Sequence, residues 1–150
     1  MQKTEMLFGL PWLSTKPERA IFDELQFACV YAAGPSGGRP LRLGYASGSG
    51  LRETLRTLQK GSWKELQIHH IAWTRGDLVA SRIADEAAAM LDRGGRRLVG
   101  SWFDVTAELG IQAINIATGK TGITTVTHGE MLEQVRRIRR ERIEKAIKRA

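Results

Sequence analysis

Two apolar runs separated by six residues, five of them mainly turn-forming in type, constrain the chain most. Phe27-Ala28-Cys29-Val30-Tyr31-Ala32-Ala33 is compact enough to fill a buried strand. It stops at Gly34-Pro35-Ser36-Gly37-Gly38, and Pro40-Leu41-Arg42-Leu43-Gly44-Tyr45 then resumes an extended pattern. A β-hairpin is the economical way to join them. After the Gly48-Ser49-Gly50 break, Leu51, Leu55 and Leu58 recur at helical spacing and predict a helix over 51–60 that ends near Gly61. Leu66-Gln67-Ile68-His69-His70-Ile71-Ala72-Trp73 predicts a third strand.

Helix signals flank these strands. Ser14-Thr15-Lys16-Pro17-Glu18 has the hydroxyl and proline of a helix start, predicting a short helix over 18–26. Asp77 is read as the cap of a helix over 78–93 that closes at Gly94-Gly95, and Asp104 as the cap of one running through Ile116. Gly119 to His128 is small and Thr-rich and reads as a linker. The expected fold is α/β (α+β), a small three-stranded, mainly antiparallel sheet flanked by helices with a basic C-terminal helical extension. Its expected parts are a lead-in over 1–24, a domain over 25–117, a linker over 118–128 and a basic helix over 129–150.

Charge points to the partner. The 150 residues hold 23 Lys and Arg against 16 Asp and Glu, a formal net charge of +7. Such an excess favours a polyanion. The stretch 129–150 carries eight Lys or Arg against four Glu, so more than half of the net charge lies there. Arg136, Arg137, Arg139, Arg140, Lys145 and Lys148 are its candidate phosphate contacts. A solvated helix with Glu141–Lys145 and Glu144–Lys148 pairs is the plainer reading of the same residues. DNA is the expected partner and RNA the second choice; a membrane is not expected, because no segment reaches the roughly 18 apolar residues of a span. The apolar patch from Met6 to Leu13 is preceded by Glu5 and interrupted by Pro11, so it does not read as a signal peptide. With the single Cys29 giving no disulfide framework, the expected compartment is the cytoplasm.

The hairpin also carries the most specific pattern. Cys29-Val30-Tyr31 followed by Arg42-Leu43-Gly44 resembles the paired strand motifs that name the GIY-YIG nuclease superfamily, in its short phage and bacterial branch. Gly44-Tyr45-Ala46-Ser47, then Leu55 and Leu58-Gln59-Lys60-Gly61, is similar to that branch's strand-turn-helix, and Glu65-Leu66-Gln67-Ile68 resembles its third strand. Glu86, sixteen residues before Trp102-Phe103-Asp104, falls where the family keeps an acidic metal ligand. The resemblance covers about residues 27–105, half of the chain. It implies a metal-dependent endonuclease hydrolysing DNA phosphodiester bonds, with Mg²⁺ as cofactor and Mn²⁺ as an alternative. Tyr31 would activate water, Glu86 would hold the metal, and Arg42 would occupy the basic position of the second motif.

The chain departs from the family pattern at one point. Counting back from Leu58-Gln59 puts Thr54 where the family has a helix arginine, while Arg52 aligns if the gap is placed later. Arg52 is taken as the phosphate contact, and a GIY-YIG-like module that binds nucleic acid with impaired catalysis is the alternative. If all four residues act together, Tyr31, Arg42, Arg52 and Glu86 must surround one pocket.

Other residues favour structural roles. Adjacent strand residues point to opposite faces, so His69 and His70 do not suit one metal ion. Gly119-Lys120-Thr121 is not a phosphate loop, since Ile114 stands where such a loop needs glycine. Cys29 reads as a buried strand residue. Trp63 and Trp73 could stack on bases, yet scattered tryptophans are more often structural.

Overall fold

A computed structural model of the chain describes residues 5–150. In chain order the elements are β1 (Met6–Leu7), β2 (Leu10–Pro11), α1 (Lys16–Glu24), β3 (Phe27–Pro35), β4 (Leu41–Ser47), α2 (Leu51–Lys60) and β5 (Leu66–Arg75). They continue with α3 (Asp77–Arg93), β6 (Arg97–Val99), β7 (Trp102–Phe103), α4 (Ala107–Thr121), β8 (Val126–Thr127) and α5 (His128–Arg149).

The fold is mixed α/β with an antiparallel main sheet, and its three long strands are those the sequence predicts. β3 lies between β4 and β5, with Tyr31 opposite Gly44 on one side and Ile71 on the other. The main sheet nevertheless has six strands rather than three, in the order β6-β7-β4-β3-β5-β8. Leu41 and Arg42 pair with Phe103 and Trp102 of β7, and Ala72 and Trp73 pair with Thr127 and Val126 of β8. Strands of two or three residues show no readable alternation, which is why they escape a reading by periodicity.

β3 is an unbroken apolar run because helices cover both of its faces. Cys29, Tyr31 and Ala33 enter one core with Leu51 and Leu55 of α2, Ile21 and Phe22 of α1, and Met131, Leu132 and Val135 of α5. Ala28, Val30 and Ala32 enter the opposite core with Ala80, Ile83, Ala84 and Ala87 of α3 and Ala113, Ile114 and Ala117 of α4. The lead-in and the C-terminal helix are therefore not appendages, since Leu7, Trp12 and Leu13 share the first core with α5. The expected linker is also occupied: α4 runs on to Thr121, and Thr127 pairs in β8 before capping α5.

Local chemistry explains the shifted helix ends. Thr15 caps α1, but Gln26 takes a positive φ of 53°, so the helix stops at Glu24 and β3 begins at once. Asp77 lies in the first turn of α3 after Gly76 and does not cap it by a side-chain hydrogen bond. Thr106, not Asp104, caps α4, while Asp104 accepts from Arg39 Nε at 2.7 Å. Thr127 and Glu130 form a capping box at α5. Phe8 and Gly9, both at positive φ, turn the unpredicted β1–β2 hairpin.

Aromatic rings fill the first core. Trp73 is fully buried and packs against Trp12, Phe22, Phe27 and His128. Its indole N–H donates to His128 Nδ1 at 3.1 Å, and His128 Nε2 meets the Pro11 carbonyl, so the neutral ring carries its proton on Nε2. Burial lowers the His128 pKa below its ordinary value, with the Pro11 carbonyl opposing the shift. A histidine depressed in this way contributes stability that is complete above the unfolded value, near pH 6.5, and lost as pH falls through the folded value. The urea midpoint should therefore fall between about pH 7 and pH 5. His128→Phe, which can keep the stack on Trp12, should flatten that dependence; an unchanged slope would remove His128 as its source.

Candidate nucleic-acid interface

The register of the hairpin brings two of the four expected site residues together. Tyr31 stands opposite Gly44, and Arg42 stands opposite Ala33, so Tyr31 and Arg42 share the face covered by α2. A Cβ on Gly44 would lie 2.6 Å from the Tyr31 hydroxyl and 2.8 Å from Cζ; glycine is required because the ring lies against that backbone. Tyr31 is 1% exposed. Burial raises its pKa, and the Arg42 guanidinium beside the hydroxyl offsets part of that rise. A raised phenol pKa is the wrong direction for activating water, which calls for a readily deprotonated group. Arg42 itself is half-buried, and its Nε is buried with no hydrogen-bond partner in the described structure.

Arg52 is not aimed at this pair. It donates from Nη2 to Glu5 Oε1 at 2.7 Å, and Arg19 approaches the other oxygen of the same carboxylate at 3.4 Å. Thr54 is half-buried on the same helix. Sequence reasoning missed Glu5, since nothing local marks it as the partner of a residue 47 positions away. The Gly48-Ser49-Gly50 turn before the helix is held tightly, because a Cβ on Gly48 would lie 2.6 Å from Phe22 Cζ and 2.8 Å from the Phe27 carbonyl oxygen.

Glu86 belongs to the other layer. Its helix, α3, packs on the sheet face lined by Ala28, Val30 and Ala32, opposite the face that holds Tyr31. The carboxylate lies 3.7 Å from Lys120 Nζ and 3.8 Å from Arg93 Nη2. Two cations at the carboxylate do not fit the residue to Mg²⁺ or Mn²⁺, which seek anionic and neutral oxygens. Among the described residues, no group of three or more His, Cys, Asp and Glu is placed to hold a metal ion. The expected single pocket is thus not assembled. A cleft of about 660 Å³ is lined by Phe22, Ser47, Gly48, Asp77 and their neighbours and includes none of the four.

The basic helix divides its cations between two tasks. Glu18, only 7% exposed, accepts from Arg139 at 3.1 Å and from the Thr15 hydroxyl at 2.8 Å, with Arg136 Nε at 3.7 Å. Arg142 reaches Glu24 at 2.7 Å, and Arg140 pairs with Glu133 at 3.1 Å. Arg136, Arg139 and Arg140, expected to be free for phosphates, are ion-paired within the chain. Arg137, Lys145 and Lys148 have no carboxylate within ion-pair distance among the described residues, so the expected Glu141–Lys145 and Glu144–Lys148 pairs do not form.

The remaining singled-out residues are accounted for by packing. His69 Nε2 meets the Pro35 carbonyl at 2.8 Å, while burial lowers the pKa of His70. Cys29 is buried, and its thiol pKa is pushed up by desolvation. Lys120 lies in the last turn of α4 and pairs with Glu86. Trp73 is core, whereas Trp63 is 90% exposed. No helix among the described residues is long and apolar enough to cross a membrane. Comparison of the chain with protein-family models, with curated proteins and with solved structures finds no match.

Proposed function

We propose that this chain is a GIY-YIG-like module that binds DNA through phosphate contacts and does not cut it efficiently. The observation that carries the reading is the fate of the charged residues. Arg52 and Glu86, the two that phosphoryl transfer needs most, are bound to other side chains, and Glu86 lies across the sheet from Tyr31. Missing one preorganised charge stabiliser in such a site typically costs on the order of a hundredfold or more in rate. Binding asks for less. It needs cations without an internal carboxylate partner, and Arg137, Lys145 and Lys148 meet that condition among the described residues.

Anisotropy titrations of duplex DNA against salt test this. Each phosphate neutralised contributes a slope of about −0.9 in log affinity against log salt. Replacing Arg137, Lys145 and Lys148 together by alanine should weaken binding and flatten the slope. Point variants are preferable to deleting 129–150, since that segment supplies Met131, Leu132 and Val135 to the core. Absent binding by the parent would overturn the reading. Plasmid nicking by the parent with Mg²⁺ or Mn²⁺, lost in both Tyr31→Phe and Glu86→Gln, would restore the endonuclease.

A further inference from the structure

We propose that Trp63 is a stacking platform for an unpaired base, and that the surface at the end of α2 takes single-stranded DNA. This deepens the nucleic-acid reading above and rests on it. Trp63 is 90% exposed, so its ring contributes almost nothing to the folded core. The loop that carries it is nonetheless braced. Gln59 Nε2 donates to the Lys64 carbonyl at 2.9 Å, and Gln59 Oε1 accepts from the Leu66 amide at 2.8 Å. The Ser62 hydroxyl donates to the Lys64 carbonyl at 2.8 Å and accepts from the Lys64 amide at 3.2 Å. With the Ser62 amide donating to the Gln59 carbonyl at 3.1 Å, the backbone on both sides of Trp63 is tied to the last turn of α2. An exposed indole on a fixed backbone loses little further freedom when it meets a flat partner.

Charge around the ring selects the kind of flat partner. Lys64 Nζ lies over one face of the indole, 5.0 Å from its centroid, so a base would stack on the other face. Lys60 and Arg56 are exposed on α2, and neither they nor Lys64 has a carboxylate within ion-pair distance among the described residues. Glu65 is the adjacent acid, leaving residues 56–65 with three cations against one anion. An aromatic face with unpaired cations beside it matches a base with its flanking phosphates. In a closed duplex the base faces are already stacked, so the ring needs an unpaired base. Placement agrees: Leu66 pairs with Pro35 and Arg42 with Ala33, so the loop lies at the same end of the sheet as Arg42.

The test compares parent, Trp63→Ala and Trp63→Phe on a short oligothymidine and on a blunt duplex of equal length. Because Trp63 is 90% exposed, all three chains should have nearly the same urea midpoint. Trp63→Ala should lose about 5- to 150-fold in affinity for the single strand, with duplex affinity kept within about threefold. Trp63→Phe should keep most of the single-strand affinity, and the salt slope should not change, since no charge is removed. Salt-dependent binding by the parent that Trp63→Ala leaves intact would overturn this inference alone, as would equal loss on both substrates. No binding of either substrate by the parent would overturn both it and the module reading.

Discussion

Trp73→Ala is expected to lower the stability of the chain by about 3–5 kcal/mol, the cost of truncating a fully buried tryptophan. The effect combines lost burial with a cavity at the meeting point of Trp12, Phe22, Phe27 and His128. His128 Nδ1 would also lose its donor. Because a domain of this size holds only about 5–15 kcal/mol in total, much of the margin would go. Urea unfolding followed by circular dichroism measures it, and a loss below about 1.5 kcal/mol would mean that the aromatic layer collapses around the gap.

Glu18→Gln is expected to weaken the fold and to strengthen DNA binding at once. The carboxylate is nearly buried between α1 and α5 and receives Arg139, Arg136 and the Thr15 hydroxyl. Hydrogen bonds to a charged group contribute about 1.5–3 kcal/mol each, so a loss on the order of 2 kcal/mol is expected. The same change releases Arg136 and Arg139 and raises the net charge by one, which should steepen the salt slope on duplex DNA. A stability loss with no gain in affinity would confine those arginines to holding the two helices together.

Much of the scaffold was legible in the sequence because it is written in local periodicity. β3 shows an unbroken apolar run because helices lie on both of its faces, and Leu51, Leu55 and Leu58 mark the inward side of α2. The strands at β6, β7 and β8 were not legible, since pairs of residues acquire extended structure only from the edge they join. The site was less legible than the scaffold. That Tyr31 and Arg42 share a face follows from the alternation of a hairpin. That Glu86 does not join them depends on which side of the sheet α3 covers, and its alanine-rich inner stripe fits either side. Arg52 and Glu5, like Arg139 and Glu18, meet across long stretches of chain, and charge periodicity carries no record of such pairs. Trp63 did carry a local signal: a tryptophan set between Gly61-Ser62 and Lys64-Glu65 has no apolar neighbours to bury it.

The dependence of the first core on α5 has a consequence during synthesis. A nascent chain that has emerged from the ribosome as far as Thr121 can already cover one side of β3, because α3 and α4 are then both outside. The side bearing Trp12, Phe22 and Trp73 still waits for Met131, Leu132 and Val135, and for the Arg139 contact that draws α5 onto α1. Until residues beyond that point emerge, this half-built domain presents a wet aromatic layer of the kind that chaperones capture and that sticks to its own copies. Slow emergence of residues 122–139 would lengthen that exposure, since the layer stays open until α5 can reach it.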